Sequence, residues 1–284
     1  MIIIKTLKPF VEKFPILANF YRYMRDEKAL TAEIKLRKKL GFFFNGNTAM
    51  EEGVFEPNET LIIEQLLEDF DSFINIGANT GYYVCKALCK GIDTIAFEPN
   101  HLNVILLLRN IEANNFHSEF QMFPVALSDK PGILPMYGAS TGASLINGWA
   151  GQKGSTLVPI STFDNIASSL INKKKCLVVI DVEGAELNCL KGATSLLSSN
   201  NDNVFLIEIS ITEHQPIGIK FNPYFLETFQ LMDSYGYSAY TADTKLRKIS
   251  LSEVKGVSSN HIDTLKTRNF IFAKSGDILS KIKF

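Results

Sequence analysis

Arginine is scarce in this 284-residue chain, six of its 29 basic residues, and the formal net charge is −1. Arg carries the planar fork best suited to phosphate and base edges, so the composition argues against a protein that coats nucleic acid through bulk charge. Nor is there a C-x-x-C pair. Cys85, Cys89, Cys176 and Cys189 all stand in apolar stretches and are expected as reduced, buried thiols of a cytosolic protein. Cys85 and Cys89 are spaced i, i+4, but no His or carboxylate completes a metal set; no metal site is expected. No apolar run approaches the roughly 20 residues of a membrane span. The opening Met1-Ile2-Ile3-Ile4 is cut by Lys5, which argues against a signal peptide. Internal repeats and low-complexity tracts are also missing. What remains is ordinary globular usage, 46% hydrophobic with 21 Phe and 21% charged, enough for a large core.

Charge is unevenly spread. Residues 1–41 hold ten Lys and Arg against four acids, +6, leaving −7 for the remainder. The stretch 14–40 has few helix breakers and reads as one or two helices. A further helix is expected over 58–70, with Asn58 as its cap. From about residue 72, strand-like runs at 73–76, 94–97, 120–125, 177–180 and 204–209 alternate with helical patterns at 82–89, 104–113, 185–197 and 223–235. Continuous apolar strands joined by helical crossovers imply a parallel α/β sheet buried on both faces. Segments 237–241 and 269–273, with no long helix expected between them, read as an antiparallel edge pair. Residues 128–156 hold six Gly and the only Trp, Trp149, and break the alternation; so long a connection is usually functional or mobile.

Ligands of open α/β sheets bind beyond the carboxyl ends of the strands, and the informative residues fall there. The first run ends Asn75-Ile76-Gly77-Ala78-Asn79-Thr80-Gly81, a glycine turn leading into a helix. A dinucleotide fingerprint fails because Asn79 and Tyr82 occupy its later glycine places, and no P-loop is present. Glu98, 21 residues past Gly77, ends the second run, where an acid can accept both ribose hydroxyls of an adenosine. A plain tight turn and a solvated acid are the alternatives for each feature alone; the spacing of the two points to a nucleoside-containing cofactor. The fourth run is followed by Asp181-Val182-Glu183-Gly184-Ala185-Glu186. Glu186 suits a helix start, whereas Asp181 and Glu183 stand at the strand-end rim. Glu208 and His214 bring a further acid and an imidazole to that rim.

These blocks in this order, with Phe97-Glu98-Pro99-Asn100, Ala126-Leu127-Ser128-Asp129, Leu190-Lys191-Gly192-Ala193 and the flanking Phe55-Glu56-Pro57-Asn58-Glu59-Thr60 and Asn269-Phe270, resemble the FkbM family of methyltransferases over about residues 50–275. The resemblance implies a class I methyltransferase fold, a Rossmann-like three-layer sandwich on a mostly parallel seven-stranded sheet of order 3-2-1-4-5-7-6. It also implies S-adenosylmethionine as cofactor and methylation of hydroxyl groups on sugars or polyketide-type products. The family usually has Asp where this chain has Asn75, which can hydrogen-bond but cannot attract the cofactor's ammonium group by charge.

The expected division is a basic helical extension, 1–49, and a methyltransferase domain, 50–284. The expected reaction is O-methyl transfer to a hydroxyl of a sugar, glycan or small natural product. An N-methyltransferase and a catalytically silent S-adenosylmethionine-binding module are the alternatives. Asn75, Gly77, Ala78, Asn79, Gly81, Glu98, Pro99, Val125, Ala126 and Asp181 are expected around the cofactor. Asp181, Glu183, Glu208 and His214 are the acid–base candidates. Trp149 and His214 are candidates for the acceptor, Trp149 as a platform for a sugar face or else as core packing. Nucleic acid is not an expected partner. The expected location is cytoplasmic. The basic segment 1–41 is expected either to contact the inner membrane face peripherally or to cap the acidic body.

Overall fold

The computed structural model describes residues 27, 29–138, 142–152 and 154–284. Most of the basic segment 1–41, and with it the membrane-docking expectation, lies outside the described residues. An antiparallel hairpin, β1 (Lys35–Arg37) and β2 (Phe42–Phe44), stands where 14–40 predicted helix to its end. Its register explains the difference: Phe42 and Phe44 turn inward while Phe43 faces out, a period of two. After α1 (Thr48–Glu51) comes α2 (Pro57–Leu66). Asn58 is not its cap. Pro57 takes the first turn, which needs no N–H there, and Glu56 precedes it in the left-handed region at φ 39°.

The body then alternates as expected: β3 (Ser72–Ile76), α3 (Tyr82–Cys89), β4 (Asp93–Phe97), α4 (His101–Asn114) and β5 (Phe120–Phe123). The Gly-rich stretch is more regular than its composition suggested. β6 (Ala126–Leu127), β7 (Gly132–Tyr137) and β8 (Ser155–Ser161) form a separate sheet of order β6-β8-β7. α5 (Phe163–Ala167) and β9 (Cys176–Ile180) follow. Next come α6 (Glu186–Lys191) and α7 (Thr194–Leu197), where one helix was expected, then β10 (Val204–Glu208), α8 (Phe225–Ser234) and β11 (Ser238–Thr241). β12 (Lys248–Ile249), a ten-residue α9 (Leu251–Asn260) and β13 (Asn269–Ala273) follow. α9 therefore fills a connection for which no long helix was expected.

The central sheet has eight strands in the order β12-β11-β13-β10-β9-β3-β4-β5. β3, β4, β5, β9 and β10 pair in parallel, and β13 runs antiparallel to both β10 and β11. The antiparallel strand thus lies inside the sheet, and β12 adds an eighth strand to the expected seven. Alternation along the strands separates two cores. Ile74, Ile76, Val178, Ile180, Phe205, Ile207, Phe270 and Phe272 pack beneath α5–α9. Phe73, Leu177, Val179, Leu206 and Ile271 face α2 on the opposite side, where the hairpin phenylalanines join α3 and α4. Cys85, Cys176 and Cys189 are buried as expected, but Cys89, at the end of α3, is exposed. Among the described residues no helix is long and apolar enough to cross a membrane.

Candidate active site

The carboxyl ends of β3, β4, β9 and β10 converge on one rim, as the parallel topology requires. The turn after β3 is fixed by backbone bonds: the N–H groups of Gly77 and Ala78 both donate to the Phe97 carbonyl, at 2.9 and 3.0 Å. Gly77 has φ 85°, and a Cβ there would overlap the Asp181 carbonyl oxygen. Glycine is thus required by the approach of β3 to β9 as well as by any ligand. Glu98, 5% exposed, accepts from the N–H groups of Asn79 and Asn100, both at 2.8 Å. Burial raises its pKa and these donors pull it back.

Two cavities open from this rim. The first, about 630 Å³ and open to solvent, is walled by Ile76, Phe97, Val125 and Leu127, with Gly77, Asn79, Glu98, Pro99, Ala126 and Asp181 among its other residues. Asn103, whose Oδ1 is enclosed without a hydrogen-bond partner, also borders it. The second, also open to solvent, is bordered by Asn75, Gly77, Ala78, Asn79 and Asp181, and adds Glu56, Glu59, Tyr83, Glu208 and Asn269. Gly77, Asn79 and Asp181 line both cavities and form the wall between them. Gly81 borders neither. It begins α3 at φ 86° and packs against Leu107.

The second cavity is acidic. Glu56 is held by the Tyr83 hydroxyl at 2.8 Å, and Glu59 accepts from Asn269 Nδ2 at 2.5 Å. Glu208 pairs with Arg268 Nε at 3.1 Å. Burial, and then the neighbouring acids, drive the Glu208 carboxyl up to about 8 against the pull of Arg268. Asp181 is raised well above the usual carboxylate range by burial first, then by Glu208, Glu183 and Glu56. Its Oδ1 is enclosed and has no hydrogen-bond partner. An orphaned buried carboxylate oxygen is expensive unless a ligand meets it.

Glu183 stands on the other side of the turn at φ 54°. Its carboxylate accepts from Trp149 Nε1 at 2.7 Å, and its carbonyl accepts from Ser144 Oγ at 2.5 Å. Trp149 is 2% exposed, with its ring against Gly184, where a Cβ would lie 2.6 Å from it. Of the two expectations for Trp149, core packing fits this placement; a platform presented to solvent does not. His214 lies 3.9 Å from Glu183 Oε2 and borders neither cavity. It was expected on the strand-end rim with Asp181 and Glu208, and lies on the Glu183 side of it, outside the cavity those two acids line. Glu56, Glu59, Tyr83, Arg268 and Asn269 were not expected in the site. The two acids spaced i, i+3 at the start of α2 were the signal available for the first pair; nothing local marks Arg268.

The donor set fits S-adenosylmethionine. Glu98 with the apolar walls of the first cavity suits a ribose and a flat base, and the carboxylates of the second suit cationic groups. A profile of the methyltransferase FkbM domain matches residues 75–239, more than half of the chain. No curated protein sequence matches it. Among solved structures, the methyltransferase FkbM of Methylobacillus flagellatus aligns at 16% identity and TM-score 0.45, over 72% of this chain and 44% of that one. The present chain therefore spans less than half of that protein's length. The Bacillus cereus O-methyltransferase in complex with SAH aligns at 12% identity and TM-score 0.41, over 80% of this chain and 90% of that one. Precorrin-6y C5,15-methyltransferase of Geobacter metallireducens aligns at 10% identity and TM-score 0.41, over 84% and 97%. By the domain match, the chain belongs to the FkbM family of S-adenosylmethionine-dependent methyltransferases.

Proposed function

We propose that the protein transfers a methyl group from S-adenosylmethionine to a hydroxyl oxygen of a sugar, glycan or other small polyhydroxylated acceptor, with Asp181 receiving the hydroxyl proton. The observation that carries this reading is Asp181 Oδ1, enclosed and without a hydrogen-bond partner, on the wall shared by the two cavities. The cofactor, when bound, supplies an electrophilic methyl group on a sulfonium sulfur. Glu98 and the apolar wall formed by Val125 and its neighbours would hold the adenosine end. Gly77, Ala78 and Asn79 would lie along its length, and the acids of the second cavity would face its cationic end.

A hydroxyl is a weak nucleophile near neutral pH, so a base within hydrogen-bond reach helps as the C–O bond forms. Without a ligand, burial and four neighbouring acids keep Asp181 protonated to higher pH than usual. A positive charge beside it favours the ionised form. With a cationic group held in the cavity it lines, Asp181 would be shifted toward its ionised form and could act as the base. Glu208, tied to Arg268, lines the same cavity as Asp181 and would help to orient the acceptor. Alignment of the reacting atoms supplies much of the remaining acceleration.

Transfer of a carbon-13-labelled methyl group to a panel of neutral glycosides, with the product's methyl environment read by NMR, tests the reading. An O-methyl product is expected. An N-methyl product formed only from amine-bearing acceptors would replace it. Cofactor binding without transfer to any hydroxyl or amine compound would favour a silent binding module.

A further inference from the structure

A third cavity lies outside the second and shares Glu56, Glu59 and Asn269 with it. It is an open groove of about 1120 Å³ between the start of α2, residues 211–213 after β10 and residues 263–269 before β13. Its inner end leads to the chamber where Asp181 Oδ1 stands enclosed and without a partner. The fork of Arg268 links the two spaces, with Nε 3.1 Å from Glu208 inside and Nη1 3.5 Å from Glu213 outside. The groove floor is ordered as well: Asp263 Oδ1 accepts the Lys266 N–H at 2.9 Å, and Asn269 is fixed on Glu59.

The lining selects by exclusion. Among the described residues Ile211 is the single apolar one on it, so an acyl chain or an apolar macrocycle would gain little from burial there. Four carboxylates, Glu56, Glu59, Glu213 and Asp263, face two cations, Lys266 and Arg268, and Arg268 is already held by Glu208 and Glu213. A phosphate would meet more negative than free positive charge. A neutral polyol meets neither penalty. Carboxylates accept its hydroxyl protons, while Lys266 and Asn269 carry donors for its oxygens.

We propose that this groove is the acceptor subsite. It takes a neutral glycosyl unit without phosphate or acyl chain, whose reacting hydroxyl reaches Asp181 through the mouth formed by Glu56, Glu59 and Asn269. The inference rests on the methyl-transfer reading above and locates its acceptor away from the Trp149 side of the turn.

The test is saturation-transfer NMR on the full chain, saturated with S-adenosylhomocysteine, using methyl glycosides of hexoses and 6-deoxyhexoses beside the same sugars as phosphates. At least one neutral glycoside should bind, and its phosphate should bind about tenfold more weakly, the scale of one uncompensated charge contact. Lys266→Ala and Glu213→Gln should each weaken the glycoside about fivefold, as for one lost polar contact. Affinity for S-adenosylhomocysteine by calorimetry, and thermal stability, should be unchanged in both variants. Glycoside binding that ignores both substitutions would overturn the location. Equal binding of the phosphates, or no glycoside binding to the loaded protein, would overturn the acceptor class. Failure of S-adenosylhomocysteine itself to bind would instead remove the cofactor reading, and this proposal with it.

Discussion

The Glu98 carboxylate stitches the end of β4 to the glycine turn by accepting the Asn79 N–H at 2.8 Å, while its other oxygen takes the Asn100 N–H. The residue proposed to hold the ribose therefore also shapes the turn against which the cofactor would lie. Glu98→Ala leaves two backbone donors unpaired at a site only 5% exposed, a cost of about 1–3 kcal/mol. It should lower the melting temperature and weaken S-adenosylhomocysteine about tenfold or more. Calorimetry with thermal denaturation checks both. A lower melting temperature with unchanged affinity would leave Glu98 a structural residue only.

Trp149 and Glu183 form the second fixed pair of the rim. Trp149→Phe keeps a ring against Gly184 but removes the N–H that Glu183 accepts, so about 1–2 kcal/mol of stability should be lost. Trp149→Ala also opens a core cavity and should cost about 3–5 kcal/mol. Acceptor KM should change little in the Phe variant. A large rise in acceptor KM at unchanged stability would return Trp149 to the acceptor.

Much of this arrangement was legible in the sequence because local rules decide it. The apolar runs ending in Gly77, Glu98, Asp181 and Glu208 have to place those residues on one rim once the sheet is parallel. Glu56 and Arg268 could not be found that way. They reach the chamber from a helix start and from the segment before an antiparallel strand, 212 positions apart in sequence, and only the insertion of β13 beside β10 brings Arg268 to Glu208. The hairpin at 35–44 was hidden for a different reason: three consecutive Phe, with Lys and Arg nearby, carry no clear period until one face is buried. The β7–β8 pair was masked by its glycines, several of which sit in the turns around it.

Buried acids give the protein a distinctive pH dependence. Burial raises Glu186 from 4.5 to about 7 and Glu208 from 4.5 to about 8. The folded state then binds more protons than the unfolded state between about pH 4.5 and 8, so stability is greatest at the acid end and falls as pH rises through that window. For Glu186 alone, 3% exposed, the loss is of the order of 3 kcal/mol at about 1.4 kcal/mol per unit. Melting temperatures across the window should fall with pH. Glu186→Gln should flatten the slope, and a wild-type curve that rises instead would contradict the burial argument.

The +6 charge of residues 1–41 predicts binding to anionic vesicles that fades with salt. Deleting the segment is a poor test, because the Arg109 guanidinium donates to the carbonyls of Ala29, Leu30 and Ala32 and β1 begins at Lys35. Replacing Lys5, Lys8 and Lys13 with Gln leaves those contacts in place. Co-sedimentation with anionic vesicles at low salt should fall in the triple variant and be absent with neutral lipid. No binding by the wild-type protein at low salt would leave the segment without a membrane role.

Asp181 and His214 make opposite forecasts for the proton. Asp181→Asn keeps the shape of the wall between the cavities and removes its basicity. Turnover should fall about 10²–10⁴-fold, the usual contribution of a general base, while S-adenosylhomocysteine still binds. His214 is 43% exposed at its side chain and contacts the far side of Glu183, so His214→Ala should retain most of the activity. Single-turnover rates for both variants, with calorimetry as the binding control, separate the two. If His214→Ala loses the rate and Asp181→Asn keeps it, the proton leaves through the Glu183 side and the chamber only orients the acceptor. If neither loses it, water or the acceptor itself carries the proton, and the orphaned oxygen of Asp181 serves the cofactor's positive charge alone.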